Sequence, residues 1–171
     1  MNEAHFHLTV NHLPIIIPIV GFLILVGGMI IKSDIIKRTA YVVFFLGALT
    51  TIPAFASGEG AEEIIEPMEH MINMGISHHI IHEHEEAAES FALLSYSLGL
   101  LSLIALWANW KKKAIANTAQ YVILGLSLAV LYTGKKTGTT GGEVRHTEIR
   151  SGSTSTNSSM EHDQHEEEHE D

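Results

Sequence analysis

Between Gly58 and Ser90 the chain reads GEGAEEIIEPMEHMINMGISHHIIHEHEEAAES, rich in carboxylates and imidazoles and without one Lys or Arg. Such groups bind transition metals when a helix places them on one face, at i, i+3 or i+4. With Ser77 to Glu89 helical, His78, His82 and Glu86 follow at i, i+4 and i+8, and His79 joins His82 at i+3. Upstream, Glu66 and His70 form a second i, i+4 pair, close to Met68, Met71 and Met74. Thioether beside imidazole suits copper(I), while three methionines at this spacing also make a flexible apolar cover for the end of a helix bundle. Cu, Zn, Ni and Fe are the ions this set nominates. The competing reading of the same residues is a solvated His/Glu surface with no site.

His12 is of a different kind, because it stands between Asn11 and Leu13 at the entrance of an apolar run. A b-type haem takes two axial ligands from separate helices with apolar walls around the ring. His12 and a histidine from 78 to 84, or His146, are such a pair if the helices bring them to one face. The alternative for His12 is an interfacial histidine that caps its helix. His162, His165 and His169 lie in the acidic end MEHDQHEEEHED and are expected to hold no defined site.

Apolar runs must position these groups. Four of them, about 13–31, 39–55, 91–110 and 114–132, carry no charged residue. A helix rises about 1.5 Å per residue, so about 20 residues cross a hydrocarbon core of about 30 Å. The expected fold is therefore all-α: an integral membrane, up-down four-helix bundle with a helical extension at its outer face. Segment 1–12 is an outer N-terminal piece, 13–150 the transmembrane domain with the His/Glu/Met-rich loop at 57–90, and 151–171 a tail. Pro14 suits a first helical turn because proline lacks an N–H. Pro18 is expected to kink the first helix, and Pro53 with Gly58 to end the second span, ahead of a segment with helical spacing that Pro67 and Gly75 interrupt. The polar tail is expected to start at Gly134 and to be disordered over its last residues, because Gly, Ser, Thr and acids cannot bury enough apolar surface to offset chain entropy.

Six basic residues, Lys32, Lys37, Arg38 and Lys111 to Lys113, fall in the two short turns, with Asp34 the one acid among them. Basic residues favour cytoplasmic loops, which places the turns inside and both termini outside, with the histidines on the outer face of a bacterial inner membrane. The partner expected is the lipid bilayer and a membrane redox or metal-handling protein. A net charge of −10 gives no footing for nucleic acid.

Without cysteine there is no thiolate site or disulfide. There is no nucleophile–base signature and no phosphate-binding glycine loop, so no catalytic residues are nominated. A proton-coupled transporter is disfavoured because no run holds an ionisable residue at mid-depth. The remaining readings are a membrane protein whose outer histidines bind a transition metal or haem b, serving electron transfer or metal handling, and a cofactor-free accessory or scaffold subunit.

Four short motifs resemble a known family. Asn11-His12-Leu13-Pro14-Ile15 opens the first run, and Ser57-Gly58-Glu59 follows the second. His84-Glu85-Glu86-Ala87 leads into the third, and Gly141-Gly142-Glu143-Val144-Arg145-His146 follows the fourth. Over about Asn11 to Arg150 the pattern is similar to the bacterial membrane family catalogued as domain of unknown function 2231. The resemblance implies a four-helix inner-membrane domain and marks His12, His84 and His146 as matching positions for a cofactor. Arg145 departs from it, standing where an aromatic residue is expected. The long His/Met-rich loop and the acidic tail lie outside the pattern.

Overall fold

The computed structural model describes residues 3–72 and 78–145, with side chains described for 5–58 and 81–144. Among the described residues the chain is all helix: α1 Glu3–Val10, α2 Leu13–Ile30, α3 Asp34–Ile72, α4 His78–Trp110 and α5 Ile115–Arg145. α2 packs on α3, α3 on α4, α4 on α5, and α5 returns to α2, while α1 lies on α3. The order is that of an antiparallel four-helix bundle with α1 added at the end where α2 begins. Four helices in it, one of them α1 and α2 taken together as His5–Ile30, are long and apolar enough to cross a membrane.

The distribution of side chains supports that medium. Large apolar groups point outward: Ile30 is 75 % exposed, Leu93 69 % and Leu100 63 %. Small and hydroxyl residues point inward, with Ser95, Ser102, Ala105 and Ala108 of α4 all but fully buried. Helices in lipid gain little from burying leucine and associate through close packing of small residues, so this inside-out arrangement is the one expected of them. Gly99 makes the closest approach, because a Cβ there would collide with Cβ of Ala48 on α3. Around it, Leu25, Tyr41, Phe44, Phe91, Leu98, Ile123 and Val130 form the core. Thr51 and Ser95 share a buried hydroxyl–hydroxyl hydrogen bond of 2.9 Å one turn above.

Both tight turns end the preceding helix in the same way. After α2, Lys32 N–H bonds the Met29 carbonyl and Ser33 N–H the Gly28 carbonyl. After α4, Lys112 N–H bonds Asn109 and Lys113 N–H bonds Ala108. This pair of bonds is the Schellman closure, whose reversing residue adopts a left-handed backbone and is usually glycine. Here it is lysine each time, at φ 57° for Lys32 and 50° for Lys112, a choice that costs about 1–2 kcal/mol at each turn.

The turn end is held by one polar network. Asp34 binds Lys37 at 2.7 Å and accepts from Nδ2 of Asn109 at 3.3 Å. Arg38 donates to the side chain and backbone carbonyls of Asn109 at 2.6 and 3.2 Å. Lys37 reaches Gln120 of α5 at 3.4 Å. The start of α3 is thereby tied to the end of α4 and the start of α5.

Two expectations change. α3 does not stop at Pro53 or Gly58 but continues to Ile72, through Pro67 as well. Proline is tolerated in a membrane helix where neighbours hold the backbone, and here α1 packs on α3 and His7 binds Ala54 and Ser57 just after Pro53. Pro18 lies inside α2, buried against α3 beside Gly47. The second change is in α5, which runs past Gly134 to Arg145, so the Gly/Thr-rich stretch is helix rather than tail. Its glycines face neighbours: Gly134 meets Phe91, Gly138 meets Ile15, and Gly141 meets His84. The expected disordered tail, 151–171, lies outside the described residues.

Candidate metal centre

Two histidines that lie far apart in sequence are held in the same way at the end of the bundle where α2 begins and α5 ends. His84 is on the first turns of α4, with its ring against α5. Its Nδ1 lies 3.0 Å from Oγ1 of Thr140. That hydroxyl already gives its proton to the α5 backbone, where the carbonyls of Lys136 and Thr137 lie at 3.2 and 3.1 Å. It therefore accepts from His84, and the hydrogen-bond network assigns the proton to Nδ1. Gly141 makes room for the ring, since a Cβ there would lie 2.9 Å from His84 Cε1. One turn further along α4, Thr137 donates to the Ala87 carbonyl at 2.9 Å and clamps α5 to the same stretch.

His7 is on α1, with its ring against α3. Its Nδ1 lies 3.0 Å from the Ala54 carbonyl and 3.1 Å from Oγ of Ser57. A carbonyl can only accept, so Nδ1 again carries the proton. Ser57 donates to the same Ala54 carbonyl at 3.1 Å and so also accepts from the ring. Gly58 packs beside the ring, where a Cβ would stand 3.6 Å from Cε1 of His7. His7 and His84 lie at the same end of the bundle. Both are partly buried.

The chemical consequence is the same at both residues. With Nδ1–H committed to a helix group, Nε2 keeps its lone pair. A metal-ligating histidine almost always donates its other ring N–H to a carbonyl or similar acceptor, which fixes tautomer and orientation. Beside His7, one helical turn on, Oδ1 of Asn11 is buried with no hydrogen-bond partner. A buried acceptor left unmatched costs free energy, so this oxygen calls for a cation or a donor such as a bound water.

The other nominated residues fare differently. His12 is the N-cap of α2, exposed, and its side chain makes no capping bond. His82 is exposed and lies 3.7 Å from Glu85 and 3.6 Å from Glu86. Exposed pairs of this length contribute little. Among the described residues no three His, Asp or Glu side chains converge as a metal cluster. The side chains of Glu66, His70, His78 and His79 lie outside the described residues, and so does His146. His7 was not nominated from sequence. Its one sequence signal is the i, i+4 spacing to Asn11, because the fixing groups Ala54 and Ser57 are about fifty residues away.

Comparison with family models, with curated proteins and with solved structures returned no match.

Proposed function

We propose that this membrane-spanning helical protein binds a first-row transition-metal ion at the end of the bundle where α2 begins and α5 ends, with Nε2 of His7 and Nε2 of His84 as ligands. The observation that carries this reading is the twin anchoring of two imidazoles through Nδ1, by groups on α3 and α5 respectively. Imidazole nitrogen selects Cu, Zn, Fe or Ni over Ca and Mg. The unmatched oxygen of Asn11 serves a third position, directly or through a bound water. Basic turns favour the cytoplasmic side, so the site faces outward from a bacterial inner membrane, where metal handling is the role it suits. Its resemblance to the family of unknown function 2231, in which His84 occupies a matching position, is consistent with this reading.

A second reading uses the same two rings. Two histidines from separate helices are also the axial set of a b-type haem. Protein purified from its own membranes without an affinity tag decides between them. Stoichiometric metal without a Soret band supports the ion site, and a Soret band supports haem. Neither would leave a cofactor-free accessory subunit.

A further inference from the structure

At the opposite end of the bundle, one face of α4 forms a shallow groove of about 280 Å³ lined by Leu103, Leu106, Trp107, Trp110 and Lys111. Its walls are apolar and its mouth is cationic. Lys113 lies over the Trp107 ring with Nζ 5.9 Å from the centroid, and Lys111 forms part of the wall. Lys32, Lys111, Lys112 and Lys113 are all exposed. Asp34, the acid at this end, is engaged by Lys37 and Asn109, and among the described residues no carboxylate pairs with those four lysines. Two of them, Lys32 and Lys112, hold the left-handed position that glycine would fill without strain.

We infer that this groove is a binding site for an anionic phospholipid. One acyl chain lies on Leu103 and Leu106 between the two indoles, and the phosphate is held at the mouth by Lys111 and Lys113. Tryptophans at this position belong to the aromatic belt at headgroup depth, and basic pockets beside membrane helices take anionic headgroups. A second copy of the chain is the poorer occupant, because a two-fold contact would set these lysines against their own counterparts.

The test uses full-length protein in detergent, with phosphatidylglycerol or phosphatidylcholine of identical acyl chains added, read by native mass spectrometry and by thermal unfolding. Phosphatidylglycerol is expected to be retained preferentially and to raise the unfolding temperature. Lys111→Gln and Lys113→Gln should each reduce that preference about fivefold, leaving the weaker phosphatidylcholine binding unchanged. Trp107→Ala should weaken both lipids. Equal retention of the two lipids by the native chain would overturn the inference. So would a preference that survives the double glutamine variant, a dimer that excludes lipid, or stabilisation by inorganic phosphate equal to that by the lipid.

Discussion

The Thr140 hydroxyl accepts the Nδ1 proton of His84 at 3.0 Å while passing its own proton to the helix behind it. Together with the Thr137 backbone, which also bonds the ring, that hydroxyl sets which nitrogen of His84 carries the lone pair. The same arrangement is repeated at His7 by the Ala54 carbonyl and Ser57.

Thr140→Val keeps the shape of that contact and removes the acceptor. The histidine can then exchange tautomers and turn. Loss of such an outer partner lowers metal affinity about 10–100-fold. Titration of the apo protein with Cu or Zn should show that fall, with helix content and unfolding temperature close to the native values. Unchanged affinity would mean that the tautomer is set by something other than Thr140.

Gly141→Ala approaches the ring from the other side. The added Cβ would stand 2.9 Å from Cε1 of His84, and the ring, as the end of a side chain, is the group that yields. Metal binding should be lost while the bundle remains folded, whereas Gly125→Ala, where a Cβ meets nothing within 4 Å, should change neither. Retained binding in Gly141→Ala would show that His84 is not held as described.

Gly99→Ala tests the packing of α3 on α4. Its Cβ would meet Ala48 Cβ, which is backbone-proximal and cannot rotate away. Overpacking of this kind costs about 1–3 kcal/mol. Unfolding in detergent should shift by that amount, with metal bound per folded molecule unaltered.

Asn109→Ala should loosen the turn end. Asn109 is 6 % exposed and joins Arg38 to Asp34, so its removal leaves the partly buried Arg38 without that partner, at about 1–3 kcal/mol. Combining it with Asp34→Asn should cost less than the sum of the two, because both break one network. Additive losses would show the two contacts to be independent.

The uncharged runs made the four spans legible, and the short basic turns made their antiparallel pairing legible, because both depend on local composition. The ends of α3 and α5 were not. Pro53 and the Gly/Thr stretch after Gly134 are local stop signals, and they are overridden by contacts from other helices, Thr137 on Ala87 among them. The site shows the same division. His84 was marked by the family resemblance alone, while the spacing within its His/Glu stretch pointed to His78, His82 and Glu86. His7 sat in a short helix without a clear apolar stripe, and what distinguishes it is a carbonyl and a hydroxyl on α3, which no spacing in its own segment encodes. His12 and His82 had the better local patterns, and both point to solvent.

The most direct measurement compares metal content in His7→Ala, His84→Ala, His82→Ala and His12→Ala, each isolated untagged and checked for membrane insertion. The account predicts that His7→Ala and His84→Ala each lose the bound ion, that the double variant loses no more than either alone, and that His82→Ala and His12→Ala keep the native stoichiometry. Native stoichiometry in His7→Ala or His84→Ala, or loss confined to His82→Ala, would contradict it.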